Sequence, residues 1–269
     1  PPLWVIKIQA SIGIPEAQTE LGRRYYIGQG VPTDSAMSIE WYQKAVAQGY
    51  ADAQWRLGVA YAHGSGVPKD AAKAVELWQK AAAQGESSSQ YSLGNAYAKG
   101  EGVEKDPVKA VEWYQKAAAQ GDDAAAFELG EMYRKGNGVP KDGTKAVEWH
   151  KKAAEAGYSD AFSALIKMYA TGDGIPKDPD KAVEWYQKAV ARSRFLESDE
   201  AFILGVMYAG KDGMPLKAVE WYQKAAERGH EMAQVMLHLM YFRIGGMYRK
   251  GDGVPKDDTK AVEWFQMAA

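Results

Sequence analysis

At 269 residues the chain is long enough for one large domain or for a stack of small units, and 46% hydrophobic with 25% charged residues is a globular balance, not a disordered one. Thirty-three Lys and Arg against 35 Asp and Glu leave a formal charge of −2, so the total carries no footprint for nucleic acid or anionic lipid. The absence of Cys excludes disulfides, thiol nucleophiles and thiolate metal sites, and no run approaches the roughly 20 apolar residues of a membrane helix.

Residues 1–16 read as half of a worn second helix, with Trp4, Ile6, Ile8 and Ala10 as its apolar residues and Gly13 at its stop. They are expected to cap a single solenoid domain over 17–269. From there a unit recurs, shown by AQWRLGVAYAHGSGVPKDAAKAVELWQKAAAQGESS over residues 53–88. The Leu of its Leu-Gly pair falls at Leu21, Leu57, Leu93, Leu129 and Leu165, each step being 36 residues, then at Leu204 and Ile244 after steps of 39 and 40. The large apolar position of the second half returns at Trp41, Leu77, Trp113, Trp149, Trp185, Trp221 and Trp264. A fixed period of this size signals stacked supersecondary units, here seven.

Ala53, Leu57, Gly58 and Tyr61 share one helical stripe, as do Ala74, Leu77, Trp78, Ala81 and Ala82, so each unit predicts two helices. GSGVPKD separates them: its glycines permit unusual backbone angles and Pro68 stops the first helix from running through. Asp70, Asp106, Asp142, Asp178 and Asp257 stand where an N-cap carboxylate would accept orphan backbone N–H groups, and Gly49, Gly85, Gly121, Gly157 and Gly229 stand at the stops of second helices. No pair buries its apolar stripe alone, so neighbours must stack. The repeated Trp residues are expected in that core. The fold class is therefore all-α, a right-handed superhelical α-α solenoid of seven helix pairs.

The regularity breaks toward the C-terminus. ARSRFLESDE over 191–200 contains three extra residues, and the connector GMPLK over 213–217 is shortened by three, which restores the 36-residue step from Trp185 to Trp221. The last first helix, within AQVMLHLMYFRIGGMYRK over 233–250, gains seven residues, nearly two helical turns, and can stay in register.

The pattern A-x-x-x-L-G-x-x-Y-x-x-G-x-G-V-P-K-D-x-x-K-A-V-E-W-Y-x-K-A-A, as it stands around residues 125–154 except for His150 in place of Tyr, resembles Sel1-like repeats, relatives of tetratricopeptide repeats. The resemblance covers roughly 17–269. It implies an adaptor or scaffold molecule, and it brings in bacterial members that work at the envelope or resemble immunity proteins blocking phospholipase effectors of type VI secretion. A bacterial periplasmic location follows as a slight preference over the cytoplasm.

Catalytic constellations do not emerge. His230-Glu231 begins like H-E-x-x-H, but Gln234 stands at the fifth position. His63 ends a first helix, His150 takes a Tyr position, and His238 lies in an apolar run, where a core or interface histidine is expected. GDGVPKD lacks the preceding strand and the G-K-[ST] ending of a phosphate loop. Neither an enzyme, a cofactor nor a metal site is expected.

By resemblance to tetratricopeptide repeats, first helices line a concave wall. The expected contacts there are Arg23 and Tyr26, then Val59 and His63, Asn95 and Lys99, Glu131 with Arg134 and Lys135, and Lys167 with Thr171. Trp55, Tyr91, Phe127 and Phe202, two residues before each Leu, are expected to pack between helices. Arg194 and Phe195 in the inserted stretch, and Met236, Tyr241 and Phe242 in the lengthened helix, are expected to add specificity. The expected partner is another protein, a secreted toxin or envelope component, with no nucleic acid; self-association through the C-terminal end is a further expectation. The function class is a protein–protein interaction module: an inhibitor or immunity protein against a bacterial secreted phospholipase, with a structural adaptor as the alternative.

Overall fold

A computed structural model describes residues 1–192, 198–210 and 214–269. The chain divides into two compact units, Pro1–Lys141 and Asp142–Ala269. The first holds α1 (Leu3–Ser11), α2 (Pro15–Ile27), α3 (Ser35–Ala47), α4 (Ala51–His63), α5 (Ala71–Ala83), α6 (Ser87–Lys99), α7 (Pro107–Ala119) and α8 (Asp123–Lys135). The second holds α9 (Gly143–Ala156), α10 (Ser159–Thr171), α11 (Pro179–Arg192), α12 (Ser198–Ala209), α13 (Pro215–Glu227), α14 (Glu231–Lys250) and α15 (Asp258–Met267). The fold is an all-helical repeat solenoid, built of consecutive packed pairs such as α4 with α5 and α12 with α13. Helix α1 packs Ile6 and Ala10 against Ala17 and Leu21 of α2.

The Leu-Gly glycine fixes how the two helices of a pair meet. A Cβ on Gly94 would lie 2.5 Å from the ring of Tyr114, so the ring takes the place of a side chain and the helices close up. Tyr42, Trp78, Tyr222 and Phe265 take the same seat at Gly22, Gly58, Gly205 and Gly245, with would-be Cβ contacts between 2.5 and 2.8 Å. The most buried aromatic of a second helix is thus the residue after the repeated Trp: Tyr114 is 1% exposed and Tyr222 is 0%. Trp185 and Trp221 are buried as expected, but Trp41, Trp113, Trp149 and Trp264 are half-buried. The Lys44, Lys116 and Lys152 ammonium groups cover the first three of these rings at 3.9–4.1 Å.

The connectors close through one device. The Asp70 carboxylate accepts the N–H of Lys73 at 3.0 Å, and the Asp70 N–H donates to the Tyr61 carbonyl at 2.9 Å. The Lys73 ammonium lies 3.4 Å from that carboxylate and 5.4 Å from the Tyr61 ring. Asp106 with Lys109 and Tyr97, Asp178 with Lys181 and Tyr169, and Asp257 with Lys260 and Tyr248 repeat it. The backbone N–H of Lys109 is the largest cause holding the Asp106 carboxyl below the usual range. At α13, by contrast, the preceding residue is Met214, which makes no side-chain cap bond.

Helix α14 runs unbroken for 20 residues. Ala233, Gln234, Leu237 and Tyr241 match the first-helix pattern Ala53, Gln54, Leu57 and Tyr61, and Ile244, Gly245 and Tyr248 match its later part again seven residues on. The second copy of the pattern supplies the Gly245 seat for Phe265; in the first, the glycine position is His238. His238 is exposed, so of the two expected places, core or interface, it does not take the core. Its Nδ1 sits 2.6 Å from the Gln234 carbonyl.

Candidate functional site

Recurrent residues are consumed by seats, caps and stacking, which leaves the outward side of the first helices as the place where chemistry varies. In the first unit that side carries charge paired within each helix. Arg23 donates to Glu20 at 2.7 and 2.9 Å and to the Gln29 side chain at 2.9 Å, while Arg24 also donates to Glu20. The Arg23 hydrogen bond is the largest cause driving the Glu20 carboxyl down to about 2; burial opposes it, and Arg24 adds to it. Arg56 pairs with Asp52 at 3.0 Å, and Glu131 binds both Arg134 and Lys135 at 2.7–2.8 Å. These fixed pairs present charge while giving little stability, because exposed ion pairs are worth about 0–1 kcal/mol.

Between α2 and α4 the face opens into a hollow of about 150 Å³ lined by Tyr26, Tyr42, Trp55, Arg56, Val59 and Ala60. Tyr26 at its rim is 48% exposed. Trp55 is half-buried; its Nε1 reaches Ser92 Oγ at 3.4 Å while its carbonyl accepts the Trp78 Nε1–H at 3.3 Å. Burial is the main cause raising the Tyr42 phenol above its ordinary value. A concave, mostly apolar patch with a guanidinium beside it is the form an interface anchor pocket takes.

The other expected contacts divide. His63, Lys99, Lys135, Lys167 and Thr171 are exposed. Asn95 is half-buried, and its side-chain oxygen accepts the Tyr114 hydroxyl at 2.9 Å. Tyr91 lies 5.9 Å from the Tyr114 ring, and Phe202 stacks on His230 at 4.0 Å, in keeping with packing between helices. Arg194 and Phe195 lie outside the described residues.

In the lengthened helix only Phe242 of the three expected contacts is exposed, at 66%; Met236 and Tyr241 are half-buried, Tyr241 lying 5.7 Å from Trp264. Sequence reasoning missed Met232, Val235 and Leu239, which stand out at 53, 50 and 58%. Their spacing with Phe242, in alternate steps of three and four, was the available signal.

Among the described residues no cluster of three or more His, Asp or Glu could hold a metal, and no helix is long and apolar enough to cross a membrane.

The Sel1 repeat matches residues 15–50, 51–86, 87–122, 123–158, 163–193, 202–230 and 238–269. No curated protein matches the chain. Among solved structures, a protective antigen of uropathogenic Escherichia coli with an SLR fold is 33% identical with a TM-score of 0.74, over 99% of this chain and 63% of that one. The chain thus spans under two thirds of that relative. A Sel1 repeat protein of Oxalobacter formigenes is 35% identical with a TM-score of 0.66, over 80% of this chain and 89% of that one. An immunity protein of Pseudomonas aeruginosa is 22% identical with a TM-score of 0.46, over 83% of this chain and 81% of that one, a likeness too distant to bear on function.

Proposed function

The chain belongs to the Sel1 repeat family, and on that premise we propose that it is a non-enzymatic module that binds another protein through the outward side of its first helices. The observation that carries this reading is the hollow between α2 and α4, because it joins an exposed aromatic rim, an apolar floor and a guanidinium on the face whose chemistry varies between repeats. A side chain of the partner fills it, and the Glu20, Arg23, Asp52 and Arg56 charges orient the approach. Asn95, Lys99, Glu131, Arg134 and Lys135 extend the same contact side in the first unit. Lys167 in the second unit is a separate polar contact.

The narrower form of the reading is an inhibitor or immunity protein that neutralises a secreted phospholipase; kinship alone supports it. The alternative, an adaptor for envelope or secretion components, draws on one observation: the contact side is charged in the first unit and apolar along α14 in the second, as two different partners would require.

The test is affinity capture from cells that make the protein, with wild type compared against Tyr26→Glu with Val59→Lys, and against Tyr241→Ala with Phe242→Ala, all of verified helicity. A partner captured by wild type and lost with the Tyr26/Val59 variant supports the hollow as anchor. Retention of every partner by both variants overturns the proposal. Co-capture of a secreted lipase selects the immunity form, whereas two partners lost separately with the two variants select the adaptor.

A further inference from the structure

Helix α14 is apolar on two sides; packing within its own unit buries one, and the other meets α15 through the Phe242 ring, 5.3 Å from Phe265, and the Arg249 guanidinium, 5.7 Å from the same ring. Ala233, Leu237, Met240 and Ile244 are buried, while Met232, Val235, Leu239 and Phe242 are 50–66% exposed. The exposed four follow steps of three, four and three, and the next two positions of that series are Gly246 and Arg249. This is the a/d seam of a two-helix coiled coil, narrower than the stripe a helix shows to a globular core. A Cβ on Gly246 would meet nothing within 4 Å, so the seam has a socket at its C-terminal end and a row of large side chains before it. Glu231 marks one end of the helix; Arg249 and Lys250 mark the other, all exposed.

We propose that this seam pairs antiparallel with the same seam of a second copy of the chain. The pattern is complementary to itself in that direction. Leu239 then meets the second copy's Phe242, and Val235 fills the socket above the second copy's Gly246. Met232 lies against the stem of the second copy's Arg249, whose guanidinium comes beside Glu231. A parallel pairing would set Gly246 against Gly246 and Arg249 against Arg249, leaving a void and a like-charge contact. An isologous contact along a helix of 20 residues, about 30 Å, has the closed two-fold form commonest among oligomers. The proposal is independent of what the hollow between α2 and α4 binds, and it puts a second copy of the chain where the adaptor alternative puts a second partner.

The absence of Cys allows a direct test, because every introduced thiol is the only one present. Val235→Cys with Gly246→Cys places two thiols eleven residues apart on one helix, about 16 Å and far beyond disulfide reach within a chain. In the antiparallel pair each instead faces its counterpart on the second copy. Light scattering on wild type at high-micromolar concentration is expected to give twice the chain mass. The double variant is expected to run as a covalent dimer on a non-reducing gel, and Val235→Cys or Gly246→Cys alone as single chains.

Leu239→Lys, with Val235→Lys as a second variant on the same exposed side, is expected to give single chains of unchanged helicity. Wild type at single-chain mass overturns the proposal, as do single-cysteine variants that cross-link as well as the pair.

Discussion

The seat at Gly94 and the seat at Gly205 are the same to within the width of a contact, yet what surrounds them differs. In the first unit the Tyr114 hydroxyl donates to Asn95; in the second the residue at Asn95's position is Val206, and Tyr222's hydroxyl has no partner among the described residues. Burial pushes the Tyr222 phenol up to about 12. The first unit joins its helices with glutamine pairs, Gln48 to Gln18, Gln84 to Gln54 and Gln120 to Gln90, at 2.8–2.9 Å. The second has Arg192 and Arg228 where the donating glutamines would stand; Arg192 reaches back to the carbonyls of Ala154 and Glu155, and Arg228 to the Tyr186 hydroxyl. The buried small residue Ala53, Ser89 or Ala125 of the first unit, kept as Ala161 in the second, becomes Glu200 in one repeat there, 1% exposed; neither its carboxylate oxygens nor the Ser89 hydroxyl is hydrogen-bonded among the described residues. Shape, set by a glycine and a ring, is what the repeat preserves; polar satisfaction is not.

The largest expected effect removes a ring from its seat. Tyr222→Ala should destabilise by about 3–5 kcal/mol in urea titration, through lost burial and a cavity. Trp149→Ala, half-buried under Lys152, should cost clearly less; equal losses would break the distinction between seat and cover. Filling the seat is next: Gly94→Val should cost about 3 kcal/mol by overpacking, whereas Gly246→Ala, in open space, should stabilise by up to about 1 kcal/mol.

Glu200→Met removes a buried unpaired carboxyl at similar volume and should stabilise by about 1–3 kcal/mol, read from the denaturation midpoint. Tyr114→Phe should lose about 1 kcal/mol by stranding Asn95, while Tyr222→Phe should be neutral or stabilising. The smallest effect is at Glu20. Its folded pKa is depressed from 4.5 to about 2, so its contribution is complete above 4.5 and disappears as pH falls through about 2. Glu20→Gln should therefore cost under about 1 kcal/mol at neutral pH, and the difference from wild type should vanish across that acid window.

The repeat, the helix pairs and the Asp caps were legible because each is a local pattern at fixed spacing. Trp149 in the core was not a sound reading: a Lys three residues on covers Trp149, Trp185 and Trp221 alike, but residue type does not tell that the last two also meet a ring on another helix, Phe162 and Tyr186, and are buried there. Val235 was missed, and His238 was left between core and interface, for a related reason: an apolar run on a helix with two apolar sides does not say which side meets the core. The hollow between α2 and α4 was half legible. Tyr26 and Val59 were expected on the contact side, but their meeting with Trp55 and Arg56 depends on how successive pairs stack, a relation between residues some thirty positions apart.

The central claim, that first helices bind and second helices support, is tested most directly by hydrogen exchange on the chain with and without a captured partner. Added protection concentrated in α2 and α4, with second helices such as α3 and α5 unchanged on their outer sides, is the predicted result. Protection confined to the second helices would contradict it.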